Sequence, residues 1–151
     1  MLYLGADHRG FQLKEALKTY LIQQGHEVED LGAFEYDQAD DHPDFSSAVA
    51  AKVAESPEAH KGILICGSGH GVDIVANKFR GVRSALCWNR QVAAQSREHE
   101  DANILVLPSD HVDEVQAKDI VLVWLGKQFD GAERNVRRLG KIAGIERTNL
   151  R

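Results

Sequence analysis

The stretch GILICGSGHGVDIVANKF, residues 62–79, decides the fold class of this chain. An apolar run at 62–66 leads directly into three glycines that alternate with Ser68 and His70, and a helical pattern follows. A continuous apolar run is typical of a parallel strand that is buried on both faces. Glycines in the turn let the backbone approach another group closely. We therefore predict a buried strand, a tight loop that faces a ligand, and a helix over 71–79.

The same alternation of apolar runs and helical patterns extends along the whole chain. The predicted strands are 2–5, 27–32, 62–66, 82–87 and 103–107, and the predicted helices are 11–22, 44–55, 71–79, 90–98, 111–126 and 131–143. Such alternation is typical of parallel strands joined by right-handed crossovers. We predict an α/β protein, a three-layer α/β/α sandwich with a five-stranded parallel, Rossmann-like sheet. Residues 1–151 are expected to form a single domain that includes the basic C-terminal helix.

Composition excludes several classes of function. The net charge of −5 argues against a nucleic-acid partner, and the apolar runs are too short to cross a bilayer. The N-terminal residues lack the pattern of a signal peptide, so we expect a cytoplasmic protein with Cys66 and Cys87 as reduced thiols. The seven histidines and two cysteines show no metal-ligand spacing, and no cofactor is expected.

Ligands of open parallel sheets bind beyond the carboxyl ends of the strands, which directs attention to the loops that follow them. Asp7 and His8 follow the first strand. Asp7 either contacts a ligand or caps the next helix, and the sequence leaves both interpretations open. The acidic segment 33–43 has no regular period, and its length for a compact domain suggests a functional loop.

The glycine loop after the third strand favours an anion. Gly67, Gly69 and Gly71 give G-x-G-x-G, which departs from the dinucleotide fingerprint G-x-G-x-x-G. Backbone N–H groups of such a loop at a helix N-terminus form a nest for a phosphate or a negatively charged intermediate. Cys66 lies at the mouth of this nest, so we expect its pKa to be lowered. The alternative is a buried structural cysteine in a tight turn.

Two further groups of residues could act on an anionic substrate. His99 is predicted to lie in a loop before the last strand, either as an acid/base group or as a solvated side chain. In the last predicted helix, Arg134, Arg138 and Lys141 share one face, with Arg137 beside them. This stripe is either a solvated surface or a phosphate-binding site, because arginine binds phosphate with two parallel hydrogen bonds.

Three stretches together resemble the type B ribose-5-phosphate isomerase family, which includes galactose-6-phosphate isomerase subunits. They are LGADHRGFQLK at 4–14, GILICGSGHGVDIVANKFRGVRSAL at 62–86 and SREHEDANILVL at 96–107. The resemblance implies cofactor-free aldose–ketose isomerisation of a sugar phosphate, with ribose 5-phosphate and ribulose 5-phosphate as the expected pair. It also implies a homodimer or tetramer whose active site lies at the subunit interface.

The resemblance also implies roles for individual residues. Cys66 is similar to the base that removes the proton beside the carbonyl, and His99 is similar to the acid/base residue that opens the sugar ring. Val72 stands where relatives without this cysteine carry a glutamate, which supports Cys66 as the base. Ser68 is the third expected catalytic residue. The expected substrate-binding residues are Asp7, His8, Gly67, Gly69, His70, Gly71, Glu100, Arg134 and Arg138.

The sequence departs from the family pattern at positions that bear on the substrate. Glu100 stands where asparagine is usual, Asp110 where an arginine contacts the phosphate, and His42 where tyrosine is usual. GAERN at 131–135 is one residue longer than the usual GGRH. These differences leave open an isomerase of a hexose, a tetrose or an unphosphorylated sugar. A non-catalytic binder of sugar phosphates or nucleotides, and a cysteine hydrolase that uses Cys66 and His99, also remain as alternatives.

Overall fold

The computed structural model describes residues 1–149, in which strands and helices alternate up to the last two helices. The strands are β1 (Leu2–Ala6), β2 (Val28–Asp30), β3 (Lys61–Cys66), β4 (Ser84–Leu86) and β5 (Ile104–Pro108). The helices are α1 (Phe11–Gln23), α2 (His42–Glu55), α3 (His70–Ala76), α4 (Arg90–Glu100), α5 (Glu114–Gly126) and α6 (Glu133–Asn149).

The five strands form one parallel sheet in the order β2-β1-β3-β5-β4. The three central strands are buried almost throughout, as their continuous apolar runs require. The register pairs Cys66 at the end of β3 with Pro108 at the end of β5, so the loops that follow these two strands are neighbours. The predicted five-stranded parallel α/β fold is confirmed.

Side chains alternate between the two faces of the sheet and form a core on each. On one face, Leu4, Ile63 and Leu105 pack with side chains that include Leu17 and Trp124. On the other face Tyr3, Leu64, Cys66, Ile104 and Val106 pack with side chains that include Val49, Val53 and Val72. The sheet therefore lies between two helical layers, and no helix within residues 1–149 is long and apolar enough to span a membrane.

Several boundaries differ from the sequence prediction. The strand predicted at 82–87 is limited to Ser84–Leu86, and the helix predicted at 111–126 begins at Glu114, where Asp113 and Gln116 form a capping box. Helix α4 continues through His99, and α6 runs to Asn149 rather than ending at residue 143. The extension of α4 changes the position of His99.

The parallel topology gives the sheet two functionally different edges. The carboxyl edge carries the loops that follow β1, β3 and β5. At the amino edge, Asn103 bonds through its backbone to Arg83, and the Glu146 carboxylate of α6 accepts a hydrogen bond from the Gly81 N–H. Because the helices run antiparallel to the strands, α4 begins at the carboxyl edge and ends at the amino edge.

Candidate active site

Cys66 is the last residue of β3 and lies at the carboxyl edge of the sheet, with 5% of its surface exposed. Its Sγ accepts a hydrogen bond from the backbone N–H of Gly69 at 3.2 Å. The N–H groups of Gly71 and Val72 are also directed at the sulfur and favour its ionised form. The glycine loop therefore surrounds the sulfur with backbone donors, as the sequence predicts.

The pKa of the Cys66 thiol is nevertheless raised above its ordinary value. Burial makes the largest contribution, and the negative charge of Asp7 adds to it, while the N–H groups of Val72, Gly69 and Gly71 act in the opposite direction. The predicted lowering is wrong because removal of the thiolate from water outweighs the backbone donors. Cys66 is consequently a thiol whose ionised form is a strong base.

The glycine loop is shaped by its backbone and leaves two polar side chains in solvent. Gly69 has φ of +81°, a conformation that residues with a Cβ rarely adopt. Ser68 and His70 are exposed, and the Ser68 Oγ accepts a 3.3 Å hydrogen bond from the His70 N–H. The ring of His42, at the start of α2, lies against Gly71, and its buried Nδ1 has no hydrogen-bond partner within residues 1–149. The loop thus offers backbone and side-chain donors beside the sulfur.

Asp7 is buried and holds the loop that follows β1. Its Oδ1 accepts hydrogen bonds from the N–H groups of Arg9 at 3.0 Å and Gly10 at 3.1 Å. Asp7 therefore stabilises the turn that precedes α1 but does not cap this helix as the sequence allowed, since the N-cap is Gly10 and α1 has no side-chain cap hydrogen bond. The second carboxylate oxygen makes no hydrogen bond within the described residues, so the geometry also leaves Asp7 able to bind a ligand.

Asp40, which the sequence prediction missed, anchors His8. Its Oδ1 accepts a 3.0 Å hydrogen bond from the His8 N–H and lies 2.6 Å from His8 Nδ1. The available signal was the acidic segment 33–43, which brings Asp40 to the carboxyl edge. Ligand atoms of Asp7, His8 and Asp40 lie within 4.8 Å of one another, a grouping that could hold a cation and that the residue spacing did not predict.

His99 does not lie in a loop, as predicted, but in the last turn of α4, where it is half-buried. The carbonyl oxygen of the next residue, Glu100, accepts a 3.0 Å hydrogen bond from Arg83 Nε, which places both residues at the amino edge. Cys66 lies at the opposite end of the sheet, and β3, whose six residues are separated by ~3.3 Å rises, is about 16 Å long from its first to its last residue. One chain therefore does not bring Cys66 and His99 together.

The arginines of α6 lie on the same side as His99. The pKa of Asp130 is lowered by hydrogen bonds from the Ala132 N–H and Asn135, and also by the electrostatic influence of the nearby His99 and Arg134. Arg138, one turn along α6, donates to Asn135 Oδ1 at 3.5 Å, and both arginines are exposed. The arginine stripe therefore lies near His99, at the edge of the sheet away from Cys66.

The predicted site residues form two separate groups. The carboxyl-edge group consists of Asp7, His8, Cys66, Gly67, Ser68, Gly69, His70 and Gly71. The amino-edge group consists of His99, Glu100, Arg134 and Arg138. A hydrolase with an intrachain Cys66–His99 pair is not supported by this separation.

Comparison with known proteins identifies the family. Residues 2–142 match the model of a family described as Ribose/Galactose Isomerase. The chain belongs to the ribose/galactose isomerase family. The resemblance predicted from the sequence is confirmed.

Relatives within the ribose/galactose isomerase family match over nearly the full chain. Ribose-5-phosphate isomerase B of Mycobacterium tuberculosis is 40% identical over 148 residues, which cover 98% of this chain and 91% of the relative. The protein of the same name from Escherichia coli is 42% identical, over 94% of this chain and 93% of the relative.

Solved structures of the ribose/galactose isomerase family share the fold. Ribose-5-phosphate isomerase B of Mycoplasma genitalium, with bound ribulose-5-phosphate, superimposes with a TM-score of 0.94 at 39% identity, covering 97% of this chain and 95% of the other. That of Clostridium thermocellum gives a TM-score of 0.92 at 42% identity, covering 97% of each chain.

Proposed function

We propose that this chain interconverts ribose 5-phosphate and ribulose 5-phosphate, with Cys66 carrying the proton between the two reacting carbons. The observation that carries the proposal is the Cys66 sulfur at the carboxyl edge, facing the N–H donors of the glycine loop. Membership of the ribose/galactose isomerase family and the ribulose-5-phosphate bound to the Mycoplasma genitalium relative support the choice of reaction.

The chemistry requires one base and one site for negative charge. The Cys66 thiolate removes the proton on C2 of the open-chain aldose, the electrons of that bond form a C1–C2 double bond, and the carbonyl electrons move to O1. The resulting cis-enediolate takes the proton back on C1 from the Cys66 thiol, while the O2 proton passes to O1 and the carbonyl forms at C2. The raised pKa makes the thiolate a strong base for this step, at the cost of a smaller ionised fraction at neutral pH.

The glycine loop stabilises the intermediate in this proposal. N–H groups of the segment 67–71, with the hydroxyl of Ser68 and the side chain of His70, face the oxygen that becomes negative. Each such preorganised donor typically contributes about 3 kcal/mol to transition-state stabilisation. Asp7 and His8, at the neighbouring loop, bind hydroxyl groups of the sugar, and Asp40 fixes the orientation of His8.

A second copy of the chain completes each site in this proposal. Its amino-edge group lies opposite the carboxyl-edge group of the first copy, where His99 opens the sugar ring and Glu100 contacts the sugar. Arg134 and Arg138 then bind the phosphate. The separation of the two groups within one chain supports an active site shared in a homodimer or tetramer. The two free cysteines support the expected cytoplasmic location.

Isomerisation of ribose 5-phosphate in deuterated water tests the proposal. Ribulose 5-phosphate should form and carry solvent deuterium on C1, because a thiol exchanges its proton with water between abstraction and return. Product NMR measures both the conversion and the label, and a reaction without protein is the control. Binding of ribose 5-phosphate without any turnover would instead assign the chain to the non-catalytic alternative.

A further inference from the structure

A single guanidinium covers the outer side of the glycine loop. A Cβ added to Gly67 would lie 2.5 Å from Nε and 2.8 Å from Cζ of Arg9, and 2.9 Å from Oδ2 of Asp110. Arg9 and Asp110 form an ion pair at this place, although they are 101 residues apart in the sequence. The pair therefore lies directly over the residue that follows Cys66.

Several contacts hold Arg9 in this position. Its N–H donates to Asp7 Oδ1 at 3.0 Å, and its carbonyl oxygen lies 3.0 Å from the hydroxyl of Ser109, which is also 3.1 Å from the carbonyl oxygen of Cys66. The Asp110 N–H donates to the Gly67 carbonyl at 3.0 Å. The loops after β1, β3 and β5 are thus tied together around this guanidinium.

The Arg9 guanidinium retains unused donors that face outward. Within residues 1–149, Asp110 is its one acceptor, and 56% of the Arg9 side chain is exposed. A guanidinium has five N–H donors in a planar fork, so most of them remain available to a phosphate. The hydrogen bond to Asp110 raises the pKa of Arg9 further, and the side chain is a permanent cation.

The charges around the carboxyl edge give this cation a specific role. Asp7, Asp40 and Asp110 are three carboxylates that would repel a phosphate dianion, and Arg9 is the permanent cation placed among them. The backbone N–H groups of the glycine loop are directed at the Cys66 sulfur, where the proposed function places the reacting carbons. Arg9 lies on the outer side of this loop, where the proposal places the phosphate end of the open-chain sugar.

We propose that Arg9, held by its ion pair with Asp110 over Gly67, is a substrate-binding residue that binds the phosphate of the sugar and selects phosphorylated substrates. This inference rests on the isomerase function proposed above. It adds to the site a cation that comes from the same chain as Cys66, independent of the arginines of α6.

Replacement of Arg9 by methionine, which keeps much of the aliphatic stem, tests the inference. In Arg9→Met the KM for ribose 5-phosphate should rise by about tenfold or more, with kcat within about threefold of the parent, because a charge-assisted contact made equally in ground and transition states is lost. The inhibition constant of inorganic phosphate should rise in parallel, and turnover of unphosphorylated ribose should not change. The KM of Arg9→Lys should lie between those of the parent and Arg9→Met, because lysine keeps the positive charge but loses the planar set of N–H donors.

Arg90→Met is the matched control, because Arg90 forms a similarly exposed ion pair with Asp119 on the helices beside the sheet. Its KM should not change. Thermal unfolding of each variant shows that the fold is retained.

The outcomes separate this inference from the proposed function. A fall in the kcat of Arg9→Met, with KM and phosphate inhibition unchanged, would overturn the inference, because Arg9 would then act on the reacting atoms. Kinetics of Arg9→Met equal to those of the parent would overturn it as well. If the parent protein does not isomerise ribose 5-phosphate, the proposed function fails. In that case, calorimetric titration with inorganic phosphate still tests the role of Arg9. Weaker phosphate binding to Arg9→Met than to the parent would support the inference, and equal binding to both would overturn it.

Discussion

The two edges of the sheet are built differently. At the carboxyl edge, functional groups come from loops that directly follow buried strands, and backbone hydrogen bonds around Cys66 and Asp7 fix their positions. At the amino edge, they are side chains on helices, half-buried for His99 and exposed for Arg134 and Arg138. A parallel sheet keeps these two edges apart within one chain. In the proposed function, the carboxyl edge of one copy supplies the reactive centre and the amino edge of a second copy supplies the groups that complete it.

Loss of the sulfur at the carboxyl edge should have the largest effect. Cys66→Ala should lower kcat for ribose 5-phosphate by at least about 10²-fold, because removal of a positioned base typically costs 10² to 10⁴ in rate. Steady-state kinetics with the purified variant measure this loss. Near-full activity would exclude Cys66 as the base.

Cys87 provides the matched control for that variant. It directly follows β4, just as Cys66 ends β3, but it is fully buried. Its Sγ lies 3.7 Å from Ser96 Oγ, and burial raises its pKa to about 11. Cys87→Ala should therefore retain most of the activity, with a modest loss of thermal stability from the vacated volume.

A smaller and substrate-dependent effect is expected at the amino edge. His99→Asn should lower kcat for ribose 5-phosphate by roughly tenfold to 100-fold, because ring opening loses its acid/base catalyst. Erythrose 4-phosphate cannot form a furanose ring, since its O4 carries the phosphate, so its turnover should be unaffected. Coupled kinetic assays with both sugars measure the contrast, with His26→Asn as control. Equal losses of kcat on both sugars in His99→Asn would contradict a role of His99 in ring opening.

For a change of a single pH unit, the intact protein should show the smallest of these effects. The thiolate is the active form, and the pKa of Cys66 is raised, so kcat/KM should increase by about tenfold per pH unit between roughly pH 6.5 and 8.5. The increase in kcat/KM should level off only at a pH above the ordinary pKa of a thiol. A profile that is flat across this range would show that the ionisation of Cys66 does not limit the reaction.

Sequence reasoning predicted the carboxyl edge well because its determinants are local. An apolar run, a glycine loop and a helical pattern are adjacent over 62–79, and they define β3, α3 and the position of Cys66. The predicted direction of the Cys66 pKa shift was wrong because burial of the thiol depends on the packing of distant segments against its face of the sheet, which no short motif reports. The pair of Arg9 and Asp110 was missed for a similar reason, since the two residues meet only through the order of the strands.

The amino edge was harder to predict because its helix ends without a strong sequence signal. No glycine or proline lies within residues 99–103, and α4 continues until Asp101, which ends it in a left-handed conformation with φ of 45°. Helix α6 likewise continues through Gly140 and Gly144, beyond the predicted end at residue 143. The order of the sheet, rather than any motif, places His99 far from Cys66.

Mixing two impaired variants tests most directly whether the two edges form one site between copies. Cys66→Ala and His99→Asn are unfolded together in equal amounts, refolded, and assayed with ribose 5-phosphate. A random mixture of dimers holds half heterodimers, and each heterodimer has one site with both Cys66 and His99, so activity should recover to about a quarter of the parent level. Activity that stays at the mean of the two separate variants would contradict a site shared between chains.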